Sequence, residues 1–461
     1  MDKRQQDRVE VEITSLGSEG DGVGRSGEMA VFVPGTVPGD LVSATVLESH
    51  ARFLRADLDQ VLRPSALRAV PACPVFGRCG GCSWQHMSYE GQLAWKRRLV
   101  VEALVRLGHV TDAEDLVRPT LPSPSPWRYR HKMAVPFAPG RHGKPIAGFY
   151  AVRSHAVVPF EECLIQHPAL DRTLAAVLQL AAHLRIAVYD PRTRRGNLRH
   201  LVARASHGKG EVLACLVTAH PDFPEGPALA RSLIREVPEV VGVVHNIQGS
   251  PGNAILGADT RPIVGADHLI EELDGLRFAV SAPSFFQVAP AQASRLYRVA
   301  VEQAGLVGGE SAFDVYAGVG TLSLFLAAGG ATVEAIEEVP AAVRDGRHNA
   351  SLNVQRLGDG RVRFHLGRAE SVVPSLVARR LRPEVVVLDP PRKGAAPEVL
   401  AAIGSAAPDR VVYVSCNPAT LARDIELLGE HGYRPQEVQP VDMFPQTAHV
   451  ECAALLVRRM S

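Results

Sequence analysis

Ala312-Phe313-Asp314-Val315-Tyr316-Ala317-Gly318-Val319-Gly320-Thr321-Leu322-Ser323-Leu324-Phe325-Leu326 runs from a short apolar strand through a glycine turn into an apolar helix. Glycines at such a junction let backbone approach a ligand closely and aim the first helix N–H groups at it. A dinucleotide fingerprint asks for a further glycine where Ser323 stands, so the turn suits a pyrophosphate poorly. Outward from this turn, apolar strands alternate with helix-length segments over 283–461, with Pro283 opening the segment. That rhythm predicts α/β architecture with a Rossmann-like, doubly wound parallel sheet.

Each later strand delivers a residue of chemical interest at its carboxyl end, where such sheets bind ligands. Thr332-Val333-Glu334-Ala335-Ile336 leads to Glu337, whose carboxylate can accept both ribose hydroxyls of an adenosine. Val362-Arg363-Phe364-His365-Leu366 leads to Glu370, a candidate for the adenine edge; either acid alone could equally be a solvated neighbour of a helix start. Glycine loop, Glu337 and Glu370 in this order suggest S-adenosylmethionine. Glu384-Val385-Val386-Val387-Leu388 delivers Asp389-Pro390-Pro391-Arg392, where two prolines fix φ and remove N–H donors, giving a stiff wall. Val411-Val412-Tyr413-Val414 delivers Ser415-Cys416-Asn417-Pro418. A thiol past a buried strand is a candidate nucleophile, against the commoner fate of a structural cysteine.

The chain has 461 residues, which suggests about three domains. With 50 Lys+Arg against 49 Asp+Glu there is no global basic field, so nucleic-acid binding must rest on local patches. The charged start Met1-Asp2-Lys3-Arg4 does not read as a signal peptide, and no apolar run approaches the roughly 18 residues of a membrane span. Seven cysteines without a secretion signal favour reduced thiols, a metal centre and catalysis over disulfides. A soluble cytoplasmic protein is expected.

Residues 8–66 alternate in short apolar stretches between glycines and predict a small five-strand, OB-like barrel, a fold that often binds single-stranded nucleic acid. Residues 67–280 read as a central mixed α/β domain, with a helix over 90–108, and 281–461 as the cofactor domain. Cys73, Cys79 and Cys82 form a knuckle around Gly80-Gly81, with Cys163 as a distant fourth ligand. Four thiolates suit zinc or an iron–sulfur centre; paired C-x2-C knuckles, usual for zinc, are lacking, as is the spacing of radical enzymes. Cys215 and Cys452 read as core. Arg128-Tyr129-Arg130-His131-Lys132 and Arg192, Arg194, Arg195 with Arg199 could hold an RNA strand or be solvated loops.

Taken together these stretches resemble bacterial RNA uridine-C5 methyltransferases that carry an N-terminal TRAM domain and an iron–sulfur cluster. The resemblance is carried by Ser284-Phe285-Phe286-Gln287-Val288, by 314–320, by Leu388-Asp389-Pro390-Pro391-Arg392-Lys393-Gly394, by Ser415-Cys416-Asn417-Pro418 and by His449-Val450-Glu451. Tyr129-Arg130-His131-Lys132, Gly148-Phe149-Tyr150 and 196–201 extend it through the centre. It implies donor contacts at Gln287, Tyr316, Glu337 and Asp389, a nucleophile at Cys416 and a base at Glu451. It also implies a [4Fe-4S] cluster on Cys73, Cys79, Cys82 and Cys163. Ala317 and Thr321 depart from residues common in the family. The expected substrate is a uridine of 23S ribosomal RNA, handled by a monomer. The alternatives are the same chemistry on transfer RNA, another nucleobase methylation, or a non-catalytic, cluster-bearing RNA-binding or redox module; a dehydrogenase is disfavoured by Ser323.

Overall fold

A computed structural model describes residues 7–140 and 144–459. The amino-terminal stretch 1–6, read above for its charge, lies outside the described residues. Strands β1 (Arg8–Leu16), β2 (Gly22–Ser26), β3 (Met29–Val33), β4 (Leu41–Ser49) and β5 (Phe53–Arg63) close into a barrel in the order β1-β2-β3-β5-β4. Alternate residues Val11, Ile13, Val31, Val33, Val42 and Ala44 fill it, as period-two patterning requires.

The cysteine knuckle follows, then α1 (Tyr89–Leu107) and α2 (Ala113–Leu116). Ser88 caps α1 by accepting from the Gly91 amide at 3.2 Å. The central region holds β6 (Lys132–Pro139), β7 (Pro145–Tyr150), β8 (Val157–Pro159), α3 (Pro168–His183), β9 (Leu198–Ala205), β10 (Val212–Thr218), α4 (Gly226–Glu236), β11 (Val240–Ile247) and β12 (Asp259–Gly265). Its sheet runs β12-β11-β10-β9-β6-β7-β8, with α3 and α4 packed on it. Every residue of β9 and β10 is buried, which is why neither shows clean alternation in the sequence. A hairpin of β13 (His268–Leu273) and β14 (Leu276–Ser281) leads into the last region.

There, α5 (Pro290–Ala304), β15 (Ser311–Val315), α6 (Thr321–Ala328), β16 (Thr332–Glu337), α7 (Pro340–Leu352), α8 (Val354–Leu357), β17 (Val362–Leu366) and α9 (Ala369–Ala378) come first. They are followed by β18 (Val385–Leu388), α10 (Pro397–Ala406), β19 (Arg410–Ser415), α11 (Pro418–Glu430), β20 (Tyr433–Val441) and β21 (Glu451–Arg458). The sheet order is β17-β16-β15-β18-β19-β21-β20, parallel except for β21, which runs antiparallel to both neighbours. Strand order reverses between β15 and β18, and that crevice is where such a sheet takes a ligand. The predicted Rossmann-like sheet and small barrel are therefore both present. Cys215 and Cys452 are fully buried, as read from the sequence.

Candidate active site

The antiparallel return of β21 beside β19 builds the reactive end of the site. The ladder ends with Ser415 paired to Cys452, and the adjoining residues Cys416 and Glu451 both line the same cavity. Cys416 stands at the start of α11, whose Asn417 cap accepts from the Ala419 amide at 3.1 Å and whose first turn holds Pro418. A helix start is a favourable place for a thiolate. The neighbouring groups act against it: burial first, then the Glu451 and Asp389 carboxylates, push the Cys416 thiol up to about 11. Burial, reinforced by Asp389, holds the Glu451 carboxyl well above the usual carboxylate range. Burial and the Asp314 charge raise Asp389 to about 7. Arg392 pulls both Cys416 and Glu451 the other way.

The opposite end is built by the glycine turn. Tyr316 (φ 70°) and Gly320 (φ 79°) both take left-handed backbone there. Gly320 also needs its missing side chain, because a Cβ would lie 2.6 Å from Phe364 Cζ. Glu337 is pinned at the tip of β16, one carboxylate oxygen accepting from the Gly318 amide at 2.9 Å and the other from Val339 at 2.8 Å. Ser323, at the third fingerprint position, donates to Asp314, a carboxylate buried in the sheet and raised to about 7 by that burial.

A cavity of 930 Å³ joins the two ends, lined by Gln287, Tyr316, Glu337, Asp389, Cys416 and Glu451. These are the six catalytic and donor-side candidates read from the sequence. Glu370 does not line it; its carboxylate lies at the start of α9 beside Arg368. Residues of the lining that the sequence reading did not single out include Phe285, Asp314, Arg392 and His449. Phe285 is 71% exposed, an aromatic face at the cavity. Only its place two residues before Gln287 could have flagged it. The loop carrying both is gripped from the central region, where buried Arg204 donates to the Ser284 carbonyl and the His131 amide to that of Val288 at 2.7 Å.

Cys73, Cys79, Cys82 and Cys163 line a second cavity of 780 Å³, which shares Arg130, Phe444 and His449 with the first. Gly80 there is needed for close approach rather than for a left-handed bend: its amide donates to the Tyr150 carbonyl at 2.9 Å, and a Cβ would meet that oxygen at 3.2 Å. Arg128 donates to the Cys163 carbonyl at 3.0 Å and pairs with Glu162, fixing the loop of the fourth thiol. Burial raises Cys82 to about 11 and Cys163 to about 12. Among the described residues, no three side chains are grouped as a cage for a single metal ion.

The segment before β21 gives Phe444 and His449 to both cavities. Fully buried Lys96 pairs with Asp442 and donates to the Phe444 carbonyl at 3.0 Å. The Ser83 and Trp84 amides both donate to the Gln446 carbonyl, at 3.0 and 2.9 Å. The basic stretches are less open than expected. Tyr129 and His131 are buried, and Arg199 is 9% exposed with its guanidinium on the Gln248 and Ser250 carbonyls. Within 128–132 it is Arg130 that lines both cavities, while Arg192, Arg194 and Arg195 stay exposed.

The sequence pattern of the tRNA (uracil-5-)-methyltransferase family matches residues 276–459, and that of the TRAM domain residues 3–58. A protein of Halalkalibacterium halodurans described as an RNA methyltransferase is 42% identical over 98% of this chain and 97% of its own. One of Caldanaerobacter subterraneus, described likewise, is 42% identical over 98% of each chain. The crystal structure of Pyrococcus abyssi tRNA (uracil-54, C5)-methyltransferase with S-adenosyl-L-homocysteine superposes with a TM-score of 0.78 at 26% identity. It covers 97% of this chain and 100% of that one.

Proposed function

Starting from the fact that this chain belongs to the RNA uracil-C5 methyltransferase family, we propose that it methylates C5 of a uridine in 23S ribosomal RNA through a covalent bond from Cys416 to C6 of the base. Dependence on S-adenosylmethionine and action on RNA come with the family. What carries the covalent reading is that the end of the β19–β21 pairing brings Cys416 and Glu451 to one cavity together with Asp389.

Bound S-adenosylmethionine supplies an electrophilic methyl on a sulfonium. C5 of uracil is too weak a nucleophile to take it unaided. The Cys416 thiolate adds to C6, the C5–C6 π electrons pass to the C4 carbonyl as an enolate, and C5 becomes nucleophilic. After C5 has taken the methyl, Glu451 removes the C5 proton. The C–H electrons re-form the C5–C6 double bond and expel the thiolate. A carboxylate whose proton affinity is raised by burial is a stronger base for that step, and a general base is worth about 10²–10⁴ in rate. Gln287, Tyr316, Glu337 and Asp389 are the donor-side contacts in this scheme. The target base must leave its stack to enter.

We further infer that Cys73, Cys79, Cys82 and Cys163 hold a [4Fe-4S] cluster with a structural or RNA-orienting role. The three thiols of the 73–82 knuckle and that of Cys163 line one cavity, and four thiolates suit an iron–sulfur centre. Anaerobically purified protein is then brown and iron-loaded; a colourless, zinc-loaded preparation overturns the cluster. The barrel 8–66, the central region 67–280 and the catalytic region 281–461 are read as the domains of a cytoplasmic monomer.

Transfer RNA is the second reading, favoured by the substrate of the Pyrococcus abyssi relative. RNA carrying 5-fluorouridine separates the two, because fluorine at C5 cannot leave as a proton does. Protein mixed with the methyl donor and ribosomal fragments is expected to give an adduct that survives denaturing electrophoresis and is lost in Cys416→Ala. Glu451→Gln on ordinary RNA accumulates methylated, unreleased adduct. An adduct on transfer RNA alone moves the substrate and keeps the chemistry. No adduct on either RNA, with donor binding intact, removes Cys416 as nucleophile.

A further inference from the structure

Helix α7 carries Asp345, Asn349 and, at its C-cap, Asn353, spaced by four so that all three share one face. Asn349 and Asn353 are buried, and a buried amide needs partners for its polar atoms. Those partners lie on β14 and the glycine turn. The Ala279 amide donates to Asn349 Oδ1 at 2.8 Å, and the Arg277 amide to Asn353 Oδ1 at 2.9 Å. Asn353 Nδ2 returns to the Arg277 carbonyl at 2.7 Å. Asn349 Nδ2 reaches the other way, donating to the Val319 carbonyl in the glycine turn at 3.0 Å. Gly346 allows this seating, since a Cβ there would overlap Phe364, the ring that also bars a side chain at Gly320.

Asp345 ends the same stripe at the cavity. Its Oδ2 accepts from the Ser284 hydroxyl at 2.8 Å, and both residues line the cavity. The one proton of that hydroxyl goes to Asp345, so the Ser281 hydroxyl is the donor in its 2.6 Å contact with Ser284 Oγ. The Ser281 amide donates to the same oxygen at 3.3 Å. Ser284 is therefore held from two sides: its carbonyl by Arg204 of the central region, its hydroxyl by α7. Phe285 and Gln287 follow on the same loop. The start of α7 is tied in turn to the donor end, because Glu337 holds the Val339 amide just before Pro340 opens the helix.

We propose that Asp345 is a positioning residue that couples methyl-donor binding to RNA binding, acting through the Ser284 hydroxyl on the loop that carries Phe285 and Gln287. This rests on the reading of the cavity as the site of both donor and uridine. A donor seated on the glycine turn and Glu337 fixes the start of α7 and, through Asn349, its seat. Asp345 then holds Ser284, and the Phe285–Gln287 loop stands in one arrangement before RNA arrives. A loop already ordered leaves RNA less to order on binding, so RNA binds more tightly to the donor-bound protein. The gain is reciprocal: bound RNA tightens the donor by the same factor.

A binding cycle without methyl transfer tests this. The affinity of the ribosomal fragments is measured with and without S-adenosylhomocysteine, which has no methyl to give; where an adduct forms on transfer RNA alone, transfer RNA takes their place. The wild-type protein is expected to bind RNA about fivefold or more tighter with the ligand present. Asp345→Ala and Ser284→Ala should each abolish that gain and leave the ligand affinity of the RNA-free protein nearly unchanged. Asp345→Asn keeps an acceptor for the hydroxyl and should keep the gain. A gain that survives in both alanine variants overturns the proposal, as does its absence in the wild-type protein. Weakened ligand binding by RNA-free Asp345→Ala, with the gain intact, would make Asp345 a direct donor contact and overturn it too. Failure to form a fluorouridine adduct would sink the nucleophile reading of Cys416 and leave this cycle of affinities standing.

Discussion

Asp389 and Asp314 are carboxyl groups that burial raises to about 7, with no paired cation among the causes. For an acid, a folded-state pKa above the unfolded value means that the folded protein holds the proton more tightly. Each group therefore costs stability as pH rises from about 4 toward 7, and that cost is absent below the unfolded pKa. A sulfonium bound beside them reverses the balance by stabilising the ionised form. S-adenosylmethionine should therefore bind more tightly as pH rises from 6 to 8 and release protons on binding. S-adenosylhomocysteine carries no sulfonium charge and should show a flatter profile. Titration calorimetry of both ligands at the two pH values checks this, with the affinity ratio moving about threefold or more. Equal pH dependence would mean that neither carboxyl faces the sulfonium.

Elements differ in how far the sequence betrays them. The glycine turn, β15 to β19 and their terminal residues were legible because a strand-turn-helix repeat leaves both a hydrophobic period and a fixed exit for functional side chains. Gln287, Tyr316, Glu337, Asp389 and Cys416 could be found that way or through the resemblance. Glu451 stood on the resemblance alone. Its position depends on an antiparallel strand whose register against β19 is a long-range pairing, invisible to any local pattern. Arg392 and His449 were quoted only as parts of motifs, since their meeting is a contact across 57 residues. Arg199 misled for the converse reason: in a sequence, a guanidinium spent on buried carbonyls looks the same as a free one. The fully buried strands of the central sheet lost their alternation to burial on both faces.

At the scale of the molecule, the segment that gives Phe444 and His449 to both cavities is held from α1, through Lys96. Lys96 and Asp442 are both fully buried, so removing one leaves the other charged and uncompensated. Lys96→Met is expected to destabilise by about 3–5 kcal/mol, whereas Lys96→Met with Asp442→Leu should recover most of that loss. Denaturant unfolding of the two variants decides it; equal losses would mean that packing, not charge, is what the pair contributes.

That pairing spans 346 residues, and it has a consequence during synthesis. At about 5–20 residues per second, a ribosome that has just made Lys96 needs roughly 20–70 s more to make its counter-ion. Until then α1 carries a lysine with nowhere to bury it, and the segment bearing His449 and Glu451 does not yet exist. A nascent chain therefore has its barrel and knuckle made well before Cys416 and Glu451 can meet at one cavity.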